Sequence, residues 1–391
     1  MNRMNLRTVS ALLLLAFSGA ASAAAFQLLE QNASGLGNAY AGSAAVADNA
    51  STIFFNPAGQ TQLTGIQLST GVTGVGPSYE YRDQFGVKSG GDAGGWAAVP
   101  NAYLSGQLTN KLFLGLGISA PFGLATKYDT VWGPSSTPGA GSAIAIKSEI
   151  KTININPSIA YLVSDKVSLG FGLNYQSIEG ELTKTGVILK ADDTSWGWNA
   201  GVLFTLSPAM RLGLSYRSPV KYTLEGTLNG ALPVKADIKL PDTFILSVWQ
   251  QVSDRWEAMG DLSYTRWNSL QSLDVLRSSD SSLLSSEAFR YENAWRFAWG
   301  AAYKATDKAK LKFGIAFDRT PVRDEYRSPR VPDNNRLWLS LGGQWNAGSY
   351  GKFDLGYTYL YVIDPTISQG AVLGKYDANA HLVGVQYSVG F

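Results

Sequence analysis

HLVGVQYSVGF, residues 381 to 391, closes the chain and decides its fold. His381, Val383, Val385, Tyr387, Val389 and Phe391 take the odd positions, while Gly384, Gln386, Ser388 and Gly390 on the even positions are small or polar. Apart from the histidine, the odd row is apolar and aromatic. A period of two is that of a strand, so the apolar row must face either a protein core or lipid.

Composition narrows the choice. Of 391 residues, 16% are charged, 12% are aromatic and 42 are glycine. A mean hydropathy of -0.04 is too polar for a bundle of transmembrane helices, yet it suits strands that alternate a lipid-facing row with a polar one. At the N-terminus Arg3 and Arg7 precede the apolar run Ala11 to Phe17, and Ala21, Ser22 and Ala23 form an A-x-A cleavage site. Residues 1–23 therefore read as a secretory signal, too short to span a membrane. Its removal takes two arginines and leaves basic residues equal in number to the 30 acidic ones, so no nucleic-acid partner is implied. The lack of cysteine excludes a disulfide scaffold and thiolate chemistry.

The closing pattern recurs along the chain. Leu112, Leu114, Leu116 and Ile118 alternate with Phe113, Gly115, Gly117 and Ser119; Val167, Leu169, Phe171, Leu173 and Tyr175 alternate with Ser168, Gly170, Gly172, Asn174 and Gln176. Leu311, Phe313, Ile315 and Phe317 repeat it, as do Phe353, Leu355, Tyr357, Tyr359 and Tyr361. Short polar turns fall at Thr109-Asn110, Ser164-Asp165, Ser207-Pro208, Ser253-Asp254, Thr306-Asp307 and Ala347-Gly348. With one strand before the first pair and one after the last, they predict fourteen strands. Seven longer connections lie between, near 82–96, 122–148, 180–194, 226–234, 268–290, 319–335 and 363–377. Short turns at one end, long loops at the other and both termini at the short-turn end are how bacterial outer-membrane barrels are built. A soluble all-β protein explains the strands but not their combination with a secretion signal and a terminal aromatic. Trp249, Trp256, Trp267, Trp295 and Trp345 fall near expected strand ends, where indole rings favour the headgroup level.

Residues 26 to about 60 do not alternate. Fourteen strands enclose a space too wide for side chains alone, and a segment carrying Phe26, Leu28, Leu29, Ile53, Phe54 and Phe55 suits a plug better than a disordered tail. The small residues of SGLGNAYAG fit close packing against a wall better than a phosphate loop, because no βαβ unit surrounds them. The expected organisation is a signal over 1–23, a hatch over 24–60 and a transmembrane barrel over 61–391.

FQLLEQNASGLGNAYAGSAAVADNASTIFFNPAG, VPNAYLSGQL, GISAPFGLATKY, WGWNAGVLF, LGLSYRSPVKY, LPDTF and GIAFDRTPVRDEYRSPRVPDNNRLWLSLG follow one another in order. This series resembles the FadL family of outer-membrane transporters for long-chain fatty acids and hydrophobic compounds, aromatic-hydrocarbon channels included. The resemblance covers essentially the whole mature chain. It implies a fourteen-stranded antiparallel transmembrane β-barrel with an N-terminal hatch in the lumen, capture of substrate among the extracellular loops, burial in an apolar pocket, and lateral exit beside a kinked third strand. The family's Asn-Pro-Ala hatch segment corresponds to Asn56, Pro57 and Ala58, followed by Gly59. The third strand is expected from about Lys111 to Phe122, with Pro121 unable to donate a ladder hydrogen bond near its upper end.

A carboxylate substrate needs a basic group. Alternation directs Arg217, Arg296, Lys304 and Lys312 to the lumen, with Glu257, Asp261, Asp318 and Asp354 as counter-charges, and charges inside barrels commonly pair across strands. Fatty-acid members that grip a carboxylate take a basic residue from the upper fifth strand, where this chain has Glu179 and Glu181, with Lys184 as a substitute. The substrate-binding candidates are accordingly Arg217, Arg296, Lys184, Phe113 and Phe122, and an uncharged hydrocarbon remains the alternative substrate. Arg319, Arg323, Arg327, Arg330 and Arg336 populate one loop, where lipopolysaccharide phosphates are possible partners. An outer-membrane hydrolase or a structural barrel is the remaining rival. The single histidine, His381, has outward parity, which opposes Ser-His catalysis and a histidine metal cluster, though loop carboxylates suit calcium. No soluble cofactor is indicated, and a monomer is the family expectation.

Overall fold

A computed structural model describes residues 25 to 391; the expected secretory signal lies outside the described residues. The chain forms a closed antiparallel barrel of fourteen strands. Their ranges are β1 Ile66–Asp83, β2 Ala97–Gln107, β3 Leu112–Ser119 continued by Gly123–Lys127, β4 Lys147–Ser164, β5 Val167–Lys184, β6 Val187–Ser207, and β7 Met210–Arg217 continued by Val220–Leu228. The second half comprises β8 Leu232–Leu240 continued by Thr243–Gln251, β9 Trp256–Thr265 continued by Ser272–Arg277, β10 Leu283–Ala288 continued by Ala294–Lys304, β11 Ala309–Asp318, β12 Arg336–Asn346, β13 Lys352–Val362 and β14 Val372–Gly390. Each strand pairs with its sequence neighbour, and β1 closes on β14 from Gln67↔Gly390 to Asp83↔Gly374. Closure satisfies the backbone around the barrel except at a break in β3.

The period of two works as expected. Leu169, Phe171, Leu173 and Tyr175 on β5, and Leu311, Phe313, Ile315 and Phe317 on β11, are exposed on the outer face. The intervening Ser168, Asn174 and Gln176 are buried in the lumen. All six short turns lie within a residue of their expected places. The other end differs: β5 and β6 run on to a two-residue turn at Thr185 and Gly186, so 180–194 is a projecting hairpin and not a long loop. The connection at 226–234 likewise narrows to residues 229–231. Trp256, Trp295 and Trp345 are exposed outside, whereas Trp249 and Trp267 are buried. Trp249 lies under Arg211, whose guanidinium is 4.2 Å from the ring, and Trp267 packs on Phe26.

Residues 25–63 lie within the barrel. Ala25 donates its amide to Asp333 Oδ2 at 2.8 Å in the long-loop half, and the chain descends to Leu63 at the short-turn end. The first described residue therefore sits at the opposite end from Phe391, which corrects the expectation that both termini share the short-turn end. A one-turn helix, Thr52–Phe55, leads into a 3-10 turn, Pro57–Gln62, capped by the Asn56 side chain accepting from Ala58 N. Glycines on the wall allow backbone to touch backbone: a Cβ at Gly170 would lie 2.1 Å from Ala58 N, and one at Gly213 2.0 Å from the Ala44 carbonyl.

Strand β3 is broken, and the break is one-sided. The β2–β3 ladder runs from Gln107↔Phe113 up to Ala102↔Ile118 and stops, while β3–β4 pairing continues through Gly123↔Lys151 to Lys127↔Lys147. The strand thus leans toward β4 and away from the upper half of β2. Pro121 sits in this break and not at the strand's upper end, which extends five residues beyond the expected Phe122.

Candidate binding pocket and wall opening

Beside the break lies an inner pocket. Gln27, Leu28, Leu29, Phe54 and Phe55 of the N-terminal segment face Pro121, Phe122, Arg217, Thr243, Ile245, Thr265 and Arg296 of the wall. Its free volume, about 40 Å³, admits a few waters and no acyl chain. Phe26 packs beside it: its ring stands edge-on to Trp267 at 4.9 Å and 6.2 Å from Phe122, which lines the pocket. The segment also pairs with β3, with Leu28 N donating to the Pro121 carbonyl at 2.8 Å and Gly123 N to the Phe26 carbonyl at 2.9 Å.

Arg217 is half-buried and lines the pocket with its guanidinium. Its Nη1 donates to Asn174 Oδ1 at 2.6 Å and its Nη2 to the Phe54 carbonyl at 2.9 Å, both neutral acceptors. Arg296 is more deeply committed: it is buried, donates to the Ala39 carbonyl at 2.7 Å and lies 4.8 Å from the Trp338 ring centroid. The two arginines and Phe122 are thus brought together with Phe54, Phe55, Leu28 and Pro121. Lys184 is not among them. It lines a second cavity of about 590 Å³ in the long-loop half, with Leu182, Leu189, Leu228, Leu273 and Arg330. Phe113 lies at the short-turn end of β3 and lines neither cavity. Asn56, Pro57, Ala58 and Gly59 are also low in the barrel, where Asn56 Nδ2 donates to the Ala44 and Val202 carbonyls at 2.8 and 3.1 Å.

Of the other lumen charges, Lys312 and Asp261 hold the segment in place. Lys312 Nζ lies 2.8 Å from Asp354 Oδ1 and donates to the Ser34 carbonyl at 2.8 Å. Asp261 accepts from the Ser43 amide and hydroxyl and from Ser247 and Ser263. Glu257 pairs with Lys310 at 2.6 Å. Lys304, expected in the lumen, lies instead at a short turn against Asp307. The loop arginines are occupied too: Arg319 and Arg323 with Glu292, Arg327 with Asp324, Arg330 with Glu287 and Arg336 with Asp333. His381 faces outward, its Nδ1 2.9 Å from the Tyr357 hydroxyl. Sequence reasoning missed Gln27, Glu30 and Gln31, which have no periodicity to flag them, and it expected Trp267 at the headgroup level, whereas the ring is buried against Phe26.

A family model described as "Outer membrane protein transport protein (OMPP1/FadL/TodX)" matches residues 14–391. The chain belongs to this family. Among its FadL/TodX relatives, outer membrane protein P1 of Haemophilus influenzae is 31% identical, with 92% of this chain and 90% of that protein aligned. The long-chain fatty acid transport protein of Escherichia coli K12 is 27% identical over the full length of both. In fold, the chain is similar to a Pseudomonas aeruginosa FadL homologue, with a TM-score of 0.80, 22% identity and 93% and 98% of the two chains covered. It is also similar to the Pseudomonas putida toluene transporter TodX, with a TM-score of 0.71, 17% identity and 94% and 100% covered. A closed barrel in this family is a Gram-negative outer-membrane protein.

Proposed function

We propose that this FadL/TodX-family channel takes up long-chain fatty acids, with capture in the long-loop cavity, burial of the chain against Arg217, and release sideways through the wall between β2 and β3. Arg217 carries the reading: a guanidinium in a largely apolar pocket, satisfied by two neutral acceptors, is suited to a carboxylate. Burying the acyl chain supplies about 0.8 kcal/mol per CH2, so capture requires no energy source. Residues 24–60 act as the hatch. Because the inner pocket is nearly filled, Phe26 and Leu28 withdraw before the chain enters, and their departure uncovers the unpaired edge of β3 at Pro121. Lateral exit keeps the chain out of water throughout.

An uncharged hydrocarbon is the second reading, favoured by Glu181 at the upper fifth strand, already paired with Lys147 at 3.0 Å. Binding of oleate, oleyl alcohol and toluene, followed by tryptophan fluorescence, separates the two. Preference for oleate supports the carboxylate reading, and equal binding of the alcohol overturns it. For the exit route, Asn101→Cys with Ser119→Cys introduces a cysteine pair one step beyond the last ladder pair, Ala102↔Ile118, in a chain with no other cysteine, so that oxidation ties β2 to β3 across the break. Uptake that stops on oxidation and returns on reduction supports lateral release; uptake indifferent to the bridge refutes it.

A further inference from the structure

The break in β3 is bridged by one side chain. Ala120 lies inside the break, where its amide donates to Gln31 Oε1 at 3.2 Å and its carbonyl accepts from Gln31 Nε2 at 2.8 Å. A carboxamide supplies one donor and one acceptor, so it replaces at Ala120 the pair of bonds that a neighbouring strand would make. The same Nε2 also reaches the Leu28 carbonyl at 3.0 Å. Across the break, the Tyr103 hydroxyl of β2 donates to the Gln31 carbonyl at 2.9 Å. Gln31 is therefore tied to both strands that border the opening, and it is fully buried. Just above the last β2–β3 pair, Asn101 is 4% exposed and leaves both side-chain amide atoms without a partner. A buried amide in that state is costly, which marks this stretch of wall as one not sealed by its own strands.

We propose that Gln31 is the clasp of the wall opening, holding the free edge of β3 to β2 through Ala120 and Tyr103 while the hatch is seated, and releasing that edge when the hatch withdraws. The proposal rests on lateral release, and it assigns the closed state to one residue. Gln31 is a positioning residue; it need not touch the substrate. Its bonds are backbone-directed, so its effect falls on the closed-open equilibrium and not on recognition of the ligand.

The test uses the full chain in lipid nanodiscs, preloaded with a dansyl-labelled fatty acid and mixed with empty vesicles. Gln31→Met keeps the side-chain length and removes both polar atoms. Release is expected to rise about fivefold, the factor that one net hydrogen bond represents. Deuterium exchange in the peptide containing Ala120 rises with it. Tyr103→Phe removes only the β2 arm and also speeds release; combined with Gln31→Met it adds nothing further, because both act on one network. Wild-type release and exchange in Gln31→Met overturn the clasp. If that variant does not fold, Tyr103→Phe alone decides, and an unchanged release rate overturns the proposal. The Asn101→Cys/Ser119→Cys bridge separates this from the underlying reading. Release that persists through the bridge removes lateral exit and the clasp with it. A bridge that blocks release, together with a wild-type rate in Gln31→Met, removes the clasp alone.

Discussion

Arg217 donates Nη2 to the Phe54 carbonyl at 2.9 Å and holds its guanidinium 4.2 Å from the centroid of Phe54's own ring. The candidate carboxylate-binding group is thereby fastened to the segment that fills the pocket. On the carboxylate reading, an arriving acid competes with Phe54 for the same cation, and binding and unfastening become one event. Arg217→Met is expected to weaken oleate binding by about 10- to 100-fold, the range for losing a charge-assisted hydrogen bond, and to leave oleyl alcohol nearly unaffected. Fluorescence titration of both ligands checks this. Equal losses for acid and alcohol would remove Arg217 from carboxylate recognition.

Lys312 and Asp354 form a deeply enclosed anchor of the N-terminal segment, with side chains 7% and 2% exposed. Lys312→Met leaves Asp354 charged and buried with Gln344 as its remaining neutral partner, at a cost of roughly 3–5 kcal/mol. It also frees the Ser34 carbonyl. A lower melting temperature, largely restored by adding Asp354→Leu, is the expected pattern. A double variant no more stable than the single one would show that the charge left behind is not the cause.

The barrel was legible because lipid imposes one rule on every strand: an apolar residue at every second position. That rule found His381 outside and Lys312 inside. It failed at Lys304, the last residue of β10, whose side chain has cleared the lumen and meets Asp307 at the short turn, and at Trp267, which stands on a 3-10 turn between the two segments of β9. That the N-terminal segment sits inside the barrel was expected from its lack of period and its apolar content. Its path was not, since nothing in FQLLEQ says that Phe26 enters from the long-loop end. Gln31 and Glu30 look like ordinary polar residues until Ala120 and the surrounding burial give them meaning.

Gly213 lets the backbone of the N-terminal segment rest on the wall. An added Cβ would come within 2.0 Å of the Ala44 carbonyl, which is backbone and cannot turn aside. Gly213→Ala is therefore expected to lift the hatch locally and raise single-channel conductance in a planar bilayer. Gly106→Ala, whose Cβ meets nothing within 4 Å, serves as the control and leaves conductance unchanged. Conductance equal in both variants would mean that the hatch does not close the lumen.

Glu30 is expected to make the stability of the seated N-terminal segment depend on pH. Its side chain is fully buried, and neither carboxyl oxygen has a hydrogen-bond partner. Burial pushes its pKa from 4.5 up to about 7, against the opposing pull of the Glu30 and Leu29 amides, which fall short of hydrogen-bond geometry, and of the Arg336 and Arg296 charges. The folded protein thus keeps the proton over a range in which the unfolded chain has lost it. The resulting stabilisation is complete below pH 4.5, declines as pH rises toward 7, and is absent above it. The span corresponds to roughly 3 kcal/mol at most. Glu30→Gln is neutral at every pH, so subtracting its melting curve removes all other titrating groups. Wild type is expected to lose melting temperature relative to Glu30→Gln between pH 5 and pH 8, and a difference that stays constant across that interval would show that Glu30 does not titrate in the seated hatch.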